Sequence, residues 1–145
     1  MKRALIPLLI LFAWVLAACG GSPAGGELEV VDVWARPGAT GANSAVYFTI
    51  NNPTGEADSL LRAGGDVARS IELHESVMKD DGTISMVPQE QVPVEAGGRV
   101  EFKPGGLHVM LVDLQQNLAP GDEFSLTLTF QNTGDIEVQV PVREP

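Results

Sequence analysis

The chain has 145 residues, enough for one domain with a single core, and its 19 acidic and 9 basic residues give a formal net charge of −10. So acidic a chain is a poor partner for nucleic acid or for anionic lipid headgroups, because both repel negative charge. The only cysteine is Cys19, so an internal disulfide is excluded and the domain must be stabilised by packing.

The N-terminal segment is typical of a secretory signal peptide. Lys2 and Arg3 precede an apolar run from Ala4 to Leu16 that is too short for a comfortable membrane-spanning helix. The run ends in Leu-Ala-Ala followed by Cys19, which resembles the lipobox of bacterial lipoproteins. An ordinary signal peptide that happens to contain a cysteine is the alternative interpretation.

The lipobox interpretation divides the chain into three parts. Residues 1–18 are predicted to be the signal peptide, residues 19–26 the lipidated Cys19 and a flexible glycine-rich tether, and residues 27–145 the folded domain. Loss of Lys2 and Arg3 with the leader changes the formal charge from −10 to −12. We therefore expect an extracytoplasmic protein held to the bacterial membrane, on its periplasmic or outer side, by lipid rather than by charge.

The rest of the chain predicts an all-β domain, because short alternating runs are separated by regularly spaced turn signals. The predicted inward-facing residues are Val46, Phe48, Ile50, Val100, Phe102, Phe124, Leu126, Leu128, Phe130, Ile136, Val138, Val140 and Val142. No sustained helical period and no internal repeat is found beyond the tether. A sandwich or a barrel fits this pattern.

Both histidines are predicted to lie on strand faces that point away from the core. On the first strand, Ile71 and Leu73 form the apolar set, so Glu72 and His74 point to the other side. On the second strand, His108 and Met110 lie on the face opposite to three apolar residues, Leu107, Val109 and Leu111. A site near the surface of the domain is the expected result.

The histidines and methionines are concentrated in one part of the chain. Apart from the initiator, all of them lie between residues 74 and 110. Imidazole nitrogen with thioether sulfur, without thiolate or carboxylate, is a soft to borderline donor set that suits copper and above all Cu(I). A lone histidine or methionine is more often structural. Here His108 and Met110 share a strand face, and a neighbouring strand or loop could supply His74 and Met86.

The spacing of these residues resembles the signature of a known family. His74, Met86, His108 and Met110 are separated by eleven, twenty-one and one residues, similar to the H(M)x10Mx21HxM signature of the periplasmic copper chaperone family PCu(A)C. Five further segments are similar to that family: VWARPG (33–38), AVYFTINN (45–52), ADSLLRA (57–63), KPGGLHVML (103–111) and LAPGDEFSLTLTF (118–130). Glu75 is a departure, since it stands where the signature has an optional methionine.

The resemblance implies a single-domain, cupredoxin-like Greek-key β-barrel or sandwich that holds Cu(I) near its surface through those four residues. It also implies a role in cytochrome c oxidase assembly, with the copper subunit of the oxidase and Sco-type thiol proteins as partners. Two neighbouring residues are candidates for auxiliary ligands. Glu75 could add oxygen character, and Met78 falls in a segment from 76 to 85 that is predicted to be a loop.

Other function classes are less compatible with the sequence. A blue-copper electron carrier needs a cysteine thiolate with two histidines, and Cys19 is at the lipidation site. An enzyme is not expected, because there is no free thiol, no spare histidine for a serine nucleophile and no recognisable carboxylate pair. A metal-free Ig-like lipoprotein that serves as a protein-binding module is the alternative, and binding of one equivalent of Cu(I) would distinguish it from the chaperone.

Overall fold

The computed structural model describes residues 25–145, which contain ten β-strands. The predicted signal peptide, Cys19 and most of the predicted tether lie outside the described residues. Between residues 25 and 145 no helix is long and apolar enough to cross a membrane. The strands are β1 (Glu29–Ala35), β2 (Ser44–Asn51), β3 (Asp58–Gly64), β4 (Ala68–Met78), β5 (Ile84–Pro88), β6 (Val92–Val94), β7 (Arg99–Phe102), β8 (Leu107–Leu114), β9 (Glu123–Phe130) and β10 (Gly134–Pro141).

The strands form two sheets that pack face to face. One sheet has six strands in the order β1-β2-β7-β8-β4-β5, and the other has four in the order β10-β9-β3-β6. Neighbouring strands are antiparallel except for β7 and β8, which make one parallel pairing. The predicted all-β sandwich is confirmed, and the two sheets do not close into a barrel.

The core lies between the sheets and consists largely of the residues predicted to face inward. Phe48 of β2 stacks on Phe102 of β7 with ring centroids 4.3 Å apart. On β9 every second residue is buried, and on β10 burial increases along the strand from Ile136, which is half-buried, to Val140. Each large apolar side chain buried in this way contributes about 1.5–3 kcal/mol. Since each strand buries one face, its other face is free to carry a site.

An aromatic cluster covers part of the outer face of the six-stranded sheet. A bulge in β1 between Val31 and Trp34, with Asp32 at a φ of 56°, shifts the register of β1 against β2. Trp34 then packs on Tyr47 with ring centroids 4.7 Å apart, and the guanidinium of Arg143 lies 4.8 Å above the Trp34 ring. Tyr47 is buried although it points away from the core.

Asp58 is a buried carboxylate that stabilises the turn between β9 and β10. Its Oδ1 accepts from the backbone N–H of Ser59 and Asn132, and its Oδ2 accepts from the N–H and hydroxyl of Thr133, at 2.7–2.9 Å. Burial alone would raise the pKa of Asp58, but these four hydrogen bonds outweigh it and lower the pKa below its ordinary value. The ionised form is therefore the one that fits the fold.

Replacing Asp58 by alanine should lower the free energy of unfolding by about 2–4 kcal/mol, because buried donors lose a charged acceptor. A lowered folded-state pKa contributes stability above the unfolded-state pKa, so the difference from wild type should shrink as the pH falls below about 4. Urea denaturation at pH 7 and pH 3 measures both effects. Asp66→Ala, at an exposed position, is the control and should change little. A loss of equal size at both pH values would contradict the role of the ionised carboxylate.

Candidate metal centre

Three adjacent strands place the four predicted ligands on one outward face of the six-stranded sheet. His74 of β4 is the direct cross-strand partner of His108 of β8, and their ring centroids are 5.9 Å apart. Met110 follows His108 by two residues and shares its face. Met86 of β5 lies opposite Ser76, which in turn follows His74 by two residues. This is the face that the alternation of apolar residues predicts.

The same face carries an open cavity of about 490 Å³, and three of the four residues line it: Met86, His108 and Met110. Tyr47 of β2 and the turn at residues 104–105 form other parts of its wall. His74 does not line the cavity, although it lies beside His108 on the same face. The structure thus brings the two imidazoles together and places both thioethers on their face.

The histidines are more buried than the sequence predicted. His74 is 8% exposed and His108 5% exposed, whereas Met86 is 54% exposed. Segments outside the sheet, at residues 36–37, 104–105 and 144–145, flank the cavity above this face. The expectation of two surface histidines is therefore wrong in exposure although right in direction. Alternation predicts which face a side chain is on, but not what lies above that face.

His74 has one ring nitrogen bound and one free. Its Nε2 lies 2.8 Å from Oε2 of Glu72, and because an ionised carboxylate only accepts, Nε2 must be the donor. Oε1 of Glu72 accepts from the hydroxyl of Ser70 at 2.7 Å. The hydrogen bonds from Ser70 and then from His74 lower the pKa of Glu72, which keeps it ionised. Nδ1 of His74 is buried and has no hydrogen-bond partner among the described residues.

His108 has the opposite arrangement. Its Nδ1 donates to the backbone carbonyl of Gly106 at 3.0 Å, and the same carbonyl accepts from the N–H of Ser76 at 3.1 Å. The turn that presents this carbonyl requires a φ of 79° at Gly105, which glycine adopts without strain. A neutral His108 then has its lone pair on Nε2. Each imidazole therefore has one nitrogen held by a protein acceptor and one available to a metal.

The spacing of the two rings is compatible with one shared ion. A metal–imidazole bond is about 2.0 Å long, so two rings bound to the same ion have centroids at most about 6.3 Å apart, when the two bonds are collinear. The observed separation of 5.9 Å lies within that limit. A buried nitrogen without a partner is costly in a folded protein, at about 1–3 kcal/mol, unless a ligand satisfies it.

The two auxiliary candidates lie in different places. Glu75 is the neighbour of His74 along β4, so it points to the opposite face of the sheet, where its cross-strand partners are Leu107 and Val87. Met78 lies on the His74 face and is 72% exposed. It belongs to β4, which extends to Met78, and β5 begins at Ile84. The loop predicted for residues 76–85 is therefore wrong at both ends, and only residues 79–83 connect the strands.

Two groups hold the histidine rings, and the sequence predicted neither role. Alternation places Glu72 on the face of His74, but its hydrogen bond to the ring was not predicted. The carbonyl of Gly106 could not be identified, since a backbone oxygen leaves no mark in the residue types. Sequence analysis finds candidate donors more readily than the groups that orient them.

Comparisons with known proteins agree with this architecture. The model of the family described as "Putative lipoprotein LpqE-like" matches residues 28–142. The "Uncharacterized protein RP573" of Rickettsia prowazekii is 35% identical over 125 residues, covering 83% of this chain and 68% of the relative.

Solved structures share the fold. The "Copper-bound PCuAC domain from PmoF2" superposes with a TM-score of 0.69 at 23% identity, covering 83% of this chain and 95% of that one. The Cu(I) form of DR1885 from Deinococcus radiodurans has a TM-score of 0.59 at 25% identity, covering 83% and 82% of the two chains. The predicted resemblance to PCu(A)C domains is confirmed in the fold.

The different partners of the two histidines predict different effects on stability. His74→Leu in the metal-free protein should keep the free energy of unfolding within about 1 kcal/mol of wild type, because loss of the Nε2 bond to the half-exposed Glu72 is offset by removal of a buried nitrogen that has no partner. His108→Leu should be about 1 kcal/mol less stable than His74→Leu, because the Gly106 carbonyl loses a donor. Urea denaturation of the metal-free variants measures both. The reverse order would show that the assigned hydrogen bonds are wrong.

Proposed function

The chain belongs to the LpqE-like family, and we propose that it is an extracytoplasmic copper chaperone that binds one Cu(I) ion through His74, Met86, His108 and Met110. The observation that carries the proposal is the pair of adjacent imidazoles, whose ring centroids are 5.9 Å apart. In each ring the N–H donates to a protein oxygen, of Glu72 or of Gly106, and the other nitrogen has a free lone pair. The two thioethers lie on the same face. Two neutral nitrogens and two neutral sulfurs form a donor set for a soft monovalent ion.

The chemistry of the donors favours copper over other metals. Zinc sites in proteins use thiolate, imidazole and carboxylate, and calcium or magnesium sites use oxygen. Thioether sulfur is a weak ligand for all of these and a good one for Cu(I). Two proteins solved with this fold are copper-bound, one of them with Cu(I), which supports the same choice for this chain.

The unequal exposure of the ligands suits a carrier. The histidines are buried, while Met86 is 54% exposed and faces an open cavity of about 490 Å³. An ion bound by these residues is shielded from solvent on the side of the two histidines and accessible on the side of Met86. An acceptor protein can then bring its own ligands to the ion before the last donor bond is broken.

Anchoring and delivery complete the proposal. Lipidation at Cys19 would hold the domain at the membrane surface, where respiratory oxidases are embedded. The copper subunit of cytochrome c oxidase is the proposed acceptor, and Sco-type thiol proteins are the proposed partners in delivery. These assignments rest on the resemblance of the ligand motif and on the "lipoprotein" in the family description.

Met110→Leu should leave the fold intact, because the side chains have similar shapes, while lowering Cu(I) affinity about tenfold or more. Competition with a chromophoric Cu(I) chelator measures affinity, and circular dichroism checks the fold. Met78→Leu makes the same chemical change on the same face at a 72% exposed position and should bind as wild type does. Equal affinities for wild type and Met110→Leu would count against thioether ligation.

Transfer to the proposed acceptor can be tested directly. The Cu(I)-loaded protein, mixed with the apo form of a soluble oxidase copper domain, should lose one equivalent of copper to it. Mass spectrometry of both proteins after mixing measures the transfer. Binding of Cu(I) without any transfer would reject the oxidase as acceptor while leaving the copper site itself supported.

A further inference from the structure

Within residues 25–145, Glu72 is the one charged side chain that forms a hydrogen bond with a proposed ligand. It lies on the outward face of β4, directly across from Met110 on β8. One carboxylate oxygen accepts from Ser70 at 2.7 Å and the other from His74 Nε2 at 2.8 Å. Ser70, Glu72 and His74 are spaced by two residues, so the pleat of the strand places all three on one face. The carboxylate therefore accepts a hydrogen bond at each oxygen.

This contact determines which nitrogen of His74 can bind an ion. A neutral imidazole has one N–H and one lone pair, and the nitrogen that donates to a carboxylate cannot also ligate. With Nε2 directed at Glu72, the lone pair lies on Nδ1, the buried nitrogen without a partner. In the other tautomer a lone pair would face the carboxylate at 2.8 Å and a buried N–H would lack an acceptor. Both consequences are unfavourable.

The equivalent group for His108 is a backbone atom. Its Nδ1 donates to the Gly106 carbonyl, so its free lone pair is on Nε2. The two histidines thus keep unlike nitrogens free, Nδ1 on β4 and Nε2 on β8. A backbone carbonyl cannot be removed by substitution, whereas the carboxylate of Glu72 can. Substitution of Glu72 therefore tests how the orientation of a histidine ring is set.

We infer that Glu72 is a positioning residue that fixes the His74 ring so that Nδ1 is its metal-binding nitrogen. The metal-binding part of this inference rests on the proposed function, but the orientation of the ring is a property of the metal-free protein.

The first experiment uses the metal-free mature chain, residues 19–145, with 15N-labelled histidine. Long-range 1H–15N correlation spectra should show His74 protonated at Nε2 and unprotonated at Nδ1, with a slowly exchanging Nε2–H. The slow signal should be lost in Glu72→Ala and retained in Glu72→Gln, whose amide oxygen still accepts a hydrogen bond. A His74 protonated at Nδ1 in wild type, or a slow Nε2–H that survives in Glu72→Ala, would overturn the inference.

The second experiment loads the same proteins with Ag(I), an NMR-active soft monovalent ion that stands in for Cu(I). Coupling between 109Ag and 15N should appear at Nδ1 of His74 and Nε2 of His108. Glu72→Ala should bind Ag(I) about 10–100-fold more weakly, as is typical when the partner that orients a ligating histidine is lost. Glu72→Gln should recover most of that loss. Coupling to Nε2 of His74 in wild type, or unchanged affinity in Glu72→Ala, would contradict the inference.

A matched control separates charge from position. Glu75→Ala removes the same charge next to His74 but on the opposite face of the sheet, so its Ag(I) affinity should equal that of wild type. An equal loss in Glu75→Ala and Glu72→Ala would show a general charge effect and reject positioning. If wild type takes up no Ag(I) while the slow His74 Nε2–H is present, the proposed function fails and the positioning role of Glu72 stands.

Discussion

The pairing of β4 with β8 is the constraint on which the rest of this centre depends. The two strands are in register at seven positions, and that register sets His74 directly opposite His108. It is maintained by apolar pairs on the other face, including Leu73 with Val109, both of which lie in the core. A slip of β4 by one residue would turn its apolar set outward and His74 inward, away from His108. The hydrophobic core therefore specifies the geometry of a polar site that it does not touch.

Burial of the two imidazoles has an energetic cost that the fold offsets only in part. Glu72 and the Gly106 carbonyl each satisfy one ring nitrogen, but Nδ1 of His74 has no partner within residues 25–145. A polar atom left in this state destabilises the metal-free protein by about 1–3 kcal/mol. The same state makes the nitrogen a ready ligand, because no hydrogen bond has to be broken before an ion can bind. The unpartnered Nδ1 therefore lowers the stability of the metal-free protein and favours metal binding, a trade-off that is common at functional sites.

Much of this architecture could be predicted from the sequence because a strand has a simple period. Alternation placed Phe124 and Leu126 inward and His108 and Met110 outward, and the structure agrees at each position. Burial of the histidines could not be predicted, since alternation gives the face on which a side chain lies and not what covers that face. The extension of β4 to Met78 was missed because polar residues there continue a ladder that is held by cross-strand pairing rather than by residue type.

The location of β5 at the edge of its sheet divides the centre into two mechanically unequal parts. β8 and β4 each have a neighbour on both sides, so the imidazoles cannot separate unless the middle of the sheet is disrupted. β5 is paired on one side only and carries Met86. Displacing it would break a single ladder of backbone hydrogen bonds, far fewer than a separation of the central strands. An ion bound here would have the rigid strands β4 and β8 on its histidine side and the more easily displaced β5 on its Met86 side. Displacement of β5 would therefore set the direction in which the ion can leave.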